Sequence, residues 1–173
     1  MKRSDQIVLR KIVVPTDPET ITKIVVSTGF FREDEILVAA ELAEERLEKG
    51  ASSGYEFLFA EIEGETVAYS CYGLIPCTLQ SFDLYWIATH RDYMNRGIGK
   101  QLLHETERAI FRSGGKGIYV ETSSKELYAP TRAFYEKNQY ILKAIFENFY
   151  APDDHKFVYV KTDITPTFIA SNK

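Results

Sequence analysis

The chain has 173 residues, 45% of them apolar and 27% charged, which suits one domain spanning residues 1–173 with a substantial buried core. Its formal net charge of −4 and pI near 5.5 argue against nucleic-acid binding, which needs clustered Lys and Arg, and suit a cationic partner better. No segment approaches the roughly 20 apolar residues that span a bilayer, and the basic start MKRSDQIVLRKIVVP lacks a signal-peptide core, so a cytoplasmic protein without a membrane partner is expected.

Taken in chain order, IVLRKIVVP reads as a first strand ended by Pro15. DPETITKIVVSTG reads as a helix capped by Asp17, with Pro18 at its first position and Gly29 past its end. In REDEILVAAELAEERLEKG the residues Ile36, Leu37, Ala40, Ala43 and Leu47 recur at three-and-four spacing, predicting an amphipathic helix stopped by Gly50. Two β-rich runs flank Glu63-Gly64-Glu65, a hairpin signal, and LQSFDLYWIAT supplies a further strand. GIGKQLLHETERAIFRSGG follows as a helix ended at Gly114-Gly115, then the short buried strand GIYVETSS and a short helix from near Pro130. YILKAIFENFY and KFVYVKTD close the pattern as two strands joined by the polar turn Ala151 to His155, and residues 164–173 form a tail without a pattern. The resulting order, β-α-α-β-β-β-α-β-α-β-β, implies an α/β (α+β) fold with a mixed sheet. Cys71 and Cys77 lack a second pair or a neighbouring His, and are read as buried thiols outside any metal site or disulfide framework.

The stretch DLYWIATHRDYMNRGIGKQLL passes from strand to helix through a glycine turn. Glycines before a helix N-terminus let backbone N–H groups face a phosphate. A P-loop is excluded, because Met94 stands where its first glycine should be and Gln101 replaces its hydroxyl residue. A dinucleotide fingerprint is excluded as well, because Leu102 occupies the third glycine position.

Met94-Asn95-Arg96-Gly97-Ile98-Gly99 resembles the acetyl-CoA-binding segment [Q/R]-x-x-G-x-[G/A] of the GNAT N-acetyltransferase superfamily, departing from it at Met94. TRAFYEKNQY, about 40 residues on, is similar to that superfamily's A-x-x-F-Y-x-x-x-G-F segment, with Thr131 for the small residue and Gln139 for the glycine. The resemblance is strongest over residues 83–161. It implies a central, mostly antiparallel twisted sheet of about seven strands with about four helices and a strand pair splayed at the cofactor site. It also implies transfer of acetyl from acetyl-CoA to a primary amine of a small molecule or peptide by direct attack; the alternative is a non-catalytic module of the same fold that binds acyl-CoA. A homodimer is compatible with either.

The resemblance assigns the coenzyme A pyrophosphate to the turn Met94, Asn95, Arg96, Gly97, Ile98, Gly99 and Lys100, and the pantetheine arm to the backbone of Ile87, Ala88 and Thr89. Phe134 and Lys137 join this cofactor set, as does Tyr128, which stands where many members carry a pantetheine-bonding Asn. Tyr135 occupies the position of the tyrosine that protonates the leaving thiolate; packing is its alternative role, since Phe134 and Tyr135 are not both expected to face the core. The attacking amine must lose a proton. Asp83, eleven residues before Met94, matches the spacing of a catalytic Glu in one branch, and strand alternation would put Asp83, Tyr85, Ile87 and Thr89 on one face. Glu121 is the rival base, and a water chain the third option. His90, His104 and His155 carry no partner motif.

Overall fold

The computed structural model describes residues 6–163, so the C-terminal tail lies outside the described residues. Its strands are β1 (Val8–Arg10), β2 (Glu56–Ile62), β3 (Glu65–Leu74), β4 (Ser81–Thr89), β5 (Gly117–Ser123), β6 (Ile141–Ala151) and β7 (Asp154–Thr162), and its helices α1 (Asp17–Thr28), α2 (Glu33–Lys49), α3 (Ile98–Arg112) and α4 (Ala129–Lys137). They follow one another in the predicted order. The strands form a seven-stranded sheet in the spatial order β1-β2-β3-β4-β5-β7-β6, antiparallel at every junction except β4–β5. No helix among the described residues is long and apolar enough to cross a membrane.

The central strands are buried on both faces, which is why EFLFAEI and ETVAYSCYGL read as nearly continuous apolar runs. Alternation divides them. Phe57, Phe59, Tyr69 and Cys71 pack with Ile21, Ile24 and Val25 of α1 and Ala39 and Ala43 of α2, while Leu58, Ala60 and Ala68 pack with Ile98 and Leu102 of α3. Further along the α3 face, Leu103 and Ile110 meet Leu84, Ile118, Val120, Tyr135 and Tyr159. The buried hydroxyls of Ser70 and Thr106 satisfy one another at 2.7 Å and link β3 to α3.

Three local expectations are corrected. Asp17 is the first residue of α1 rather than its cap, which is Thr16; the buried Asp17 carboxylate instead accepts from Arg10 at 2.8 and 2.9 Å and from the Val14 N–H at 2.7 Å, so it anchors β1 to the helix. On α2 the buried residues are Ala39 and Ala43, with Ile36 and Leu42 packed at the margin, whereas Leu37 and Leu47 are exposed. Small residues let the helix lie close, and the bulkier stripe turns outward. Cys71 is a buried thiol as expected, but Cys77 is exposed, in a left-handed turn at φ 64° between β3 and β4.

Candidate active site

β4 and β5 pair for three rungs only: Ser81 with Gly117, Phe82 with Ile118 and Asp83 with Tyr119. Beyond Asp83 they part, because β4 stays registered with β3 as far as Thr89 and β5 with β7 as far as Ser123. Among the described residues, the inner edge of β4, including Ile87, Ala88 and Thr89, therefore has no strand neighbour. An extended ligand can take that place by backbone hydrogen bonding.

At the far end of β4 a single-turn 3-10 helix, Arg91–Tyr93, leads into the glycine turn, where Asn95 (φ 61°) and Gly97 (φ 82°) are both left-handed and Gly97 caps α3. The first backbone bond of α3 runs from the Gln101 N–H to the Gly97 carbonyl at 3.0 Å, so the amides of Gly97, Ile98, Gly99 and Lys100 precede the intrahelical ladder. A Cβ at Gly99 would sit 3.4 Å from Thr89 Oγ1, an ordinary contact, so Gly99 marks where the turn closes on the end of β4. Free amides, a helix N-terminus and an open strand edge in continuity fit an anionic head on an amide-bearing arm.

The charges near the turn are differently engaged. Arg96 donates to the Asp92 carbonyl at 2.8 Å and lies 4.9 Å over the Tyr93 ring. Lys100 is exposed on the first turn of α3, Lys137 is exposed in the last turn of α4, and Met94 is half-buried. Tyr128 caps α4 and stands within electrostatic reach of Glu35, Arg32 and Asp154.

Asp83 is half-buried on the opposite face from Leu84, and among the described residues its carboxylate makes no ion pair or hydrogen bond. Burial, then the like charge of Glu121, pushes it up to about 6, with Lys156 pulling the other way. Glu121 is itself engaged, its Oε1 accepting from Lys156 Nζ at 3.0 Å. The face expected for Asp83, Tyr85, Ile87 and Thr89 is corrected by a bulge. Tyr72 pairs with Leu84 and Cys71 with Trp86, leaving Tyr85 as the extra residue. Tyr85 then meets Tyr55 at 5.5 Å, and Trp86 and Ala88 join the α1–α2 cluster, while Ile87 turns to the α3 face. Gly73 makes room for this: a Cβ there would lie 2.3 Å from the Gly54 carbonyl, so only glycine admits the loop that carries Tyr55.

Tyr135 is buried among Phe134, Tyr140 and Tyr159, at ring distances of 5.5, 5.3 and 6.3 Å, and burial raises its phenol well above the ordinary value. Phe134 also packs on that cluster, so both neighbours reach the core, contrary to expectation. The left-handed Gln139 (φ 70°) folds Tyr140 back beneath Tyr135, which gives the short helix a second apolar side. His155 is structural, accepting from the Asn148 N–H at 2.9 Å, and His90 accepts from the Asp92 N–H at 3.3 Å.

Sequence reasoning missed the β6–β7 side of the site. Lys156 lies 4.0 Å over Phe149 and 5.1 Å over Phe146, and Phe149 meets Tyr150 at 5.1 Å. The available signal was YILKAIFENFYA, an apolar run lacking polar alternation on what proves to be the edge strand.

The family described as acetyltransferase (GNAT) domain matches residues 53–142. A crystal structure from Desulfovibrio desulfuricans, assigned to the GNAT acetyltransferase family, superposes with a TM-score of 0.89 at 38% identity, covering 91% of this chain and 99% of that one. The PaiA N-acetyltransferase of Thermoplasma acidophilum in complex with coenzyme A shares the fold at TM-score 0.72 and 18% identity, covering 91% and 99%. A GNAT acetyltransferase from Elizabethkingia anophelis with acetyl-CoA bound does so at 0.67 and 15%, covering 92% and 100%. No curated relative matches the sequence.

Proposed function

The chain belongs to the GNAT acetyltransferase family, and on that premise we propose that it transfers acetyl from acetyl-CoA to a primary amine of a small molecule or peptide, as one cytoplasmic domain. The observation that carries this reading is the parting of β4 from β5 after Asp83, with the free amides of the α3 N-terminus at the end of the open edge. Bound acetyl-CoA supplies an activated thioester. The amides of Gly97 to Lys100 hold its pyrophosphate, assisted by Lys100, and the Ile87–Thr89 edge holds its arm in line. Gly97 serves because its left-handed backbone aims those amides without a Cβ in the way.

Asp83 Oδ takes the proton of the incoming ammonium. Its position near 6 makes it ionised, yet proton-accepting, in the neutral range, whereas the ion pair to Lys156 occupies the Glu121 carboxylate. Tyr135 Oη acts as the acid: buried and held above its ordinary value, it stays protonated throughout the working range.

The test mixes the protein with acetyl-CoA and a panel of primary amines, following free thiol and acetylated amine together. Equal, saturable release of both supports the reading. Thermal stabilisation by coenzyme A without turnover of any amine would establish the non-catalytic module instead.

A further inference from the structure

The sheet face that carries Asp83 is covered by α1 and α2 over β2, β3 and β4, but the aromatic side chains to either side of Asp83 stay open. Tyr85 is 37% exposed on one side, and Phe146, Phe149 and Tyr150 are 49%, 54% and 43% exposed on the other. The two sides belong together: Asp83 pairs with Tyr119 on β5, one same-face step from Glu121, and the Glu121 carboxylate bonds the Lys156 ammonium that lies over Phe146 and Phe149. The charges around this opening are largely spoken for. Glu121 pairs with Lys156 at 3.0 Å, Asp154 with Lys125 at 3.5 Å, and Glu35 with Arg32 at 3.9 Å while also accepting the Arg32 N–H at 2.9 Å. Of these four carboxylates, Asp83 is the one without an ion pair.

Resting on the acetyl-transfer reading above, we propose that the acceptor is a monocationic primary amine on an aromatic or apolar body, its ammonium taken by Asp83 and its body laid against Tyr85, Phe149 and Tyr150. One free carboxylate matches one ammonium. A diamine or polyamine would bring a second cation to a wall where Glu121, Asp154 and Glu35 already have theirs, and would displace water from that cation without return. An arylalkylamine brings only the charge that Asp83 can meet and an apolar surface that half-exposed rings can cover. Lys156 enforces the choice: its ammonium, set over Phe146 and Phe149 and paired with Glu121, already fills the place of a second cation.

The test begins with calorimetric titration of coenzyme A, then measures kcat and KM for 2-phenylethylamine, putrescine and spermidine. Wild type should favour 2-phenylethylamine over both others by about tenfold or more in kcat/KM. Tyr150→Ala should raise KM for 2-phenylethylamine about fivefold, with a smaller change in kcat. Lys156→Met keeps an apolar stem over the rings and frees Glu121, so it should move selectivity toward putrescine by about fivefold or more relative to 2-phenylethylamine. Putrescine or spermidine preferred by wild type, or selectivity unmoved in both variants, would overturn the proposal while leaving acetyl transfer intact. Absence of coenzyme A binding would instead overturn the acetyl-transfer reading, and this proposal with it.

Discussion

The proposed cofactor end and the proposed acceptor end are built from different materials. At the cofactor end the working groups are backbone: the open edge of β4 and the first amides of α3, aimed by the left-handed Asn95 and Gly97. At the acceptor end they are side chains gathered from distant segments: Asp83 from β4, Glu121 from β5, and Phe149, Tyr150 and Lys156 from the β6–β7 hairpin. A backbone site depends on a few glycines at fixed spacing, so local sequence betrays it. A side-chain site depends on which strands become neighbours, and that is decided by the whole fold.

The sharpest way to break the comparison is to spoil the backbone end. Gly97→Glu places a side chain on a backbone at φ 82° and a like charge where a pyrophosphate would approach, so coenzyme A affinity should fall by about a hundredfold or more in calorimetry. Gly99→Ala should bind nearly as wild type, since its Cβ would meet Thr89 Oγ1 at an ordinary 3.4 Å. Equal loss in Gly99→Ala would show that side-chain volume, rather than backbone conformation, governs the turn.

At the junction of the two ends, Tyr135→Phe keeps the ring and its packing, so coenzyme A affinity should persist while kcat falls by about ten- to a thousandfold. An unchanged kcat under conditions where chemistry limits the rate would leave Tyr135 as a packing residue of the aromatic cluster.

Asp83→Asn tests the acceptor end twice. The wild-type kcat/KM should rise through pH 6 as Asp83 ionises, and the variant should lose that limb and follow the amine alone. Stability should move the opposite way. A carboxyl raised from 3.8 to about 6 binds its proton more tightly in the folded state, so its contribution is complete below about pH 4 and is lost as pH rises through 6. Because Asp83 is half-exposed, screening reduces the effect to roughly 1 kcal/mol, and Asp83→Asn should melt about 2–4 °C higher than wild type at pH 8 but not at pH 4. A variant no more stable at pH 8 would mean that the carboxylate is not held against its own ionisation.

The smallest expected effect is a displacement of that limb. Glu121→Gln removes a like charge and should shift it to lower pH, and Lys156→Met removes an opposite charge and should shift it to higher pH. Equal shifts in the same direction would break the electrostatic link between the hairpin and Asp83.

Element order was legible throughout because each helix and strand carries its own period and stop signals, down to Pro18 and Gly29 around α1. What escaped was set by tertiary register. The bulge at Tyr85, which turns Ile87 to the α3 face, arises from the pairing of β4 with β3 and has no glycine or proline within β4 itself to announce it. Likewise, Phe146, Phe149 and Tyr150 read as part of a strand, with no sign of whether it lies inside the sheet or at its edge. Their exposure follows from β6 lying at the sheet edge, beyond β7, a crossover that local periodicity does not encode.

Amide hydrogen exchange with and without coenzyme A tests the division between the two ends most directly, since it reads the backbone itself. Strong protection on binding is expected at Ile87–Thr89 and at Gly97–Lys100, with Phe146–Tyr150 little changed. Protection concentrated on the hairpin, with the glycine turn unaffected, would contradict it.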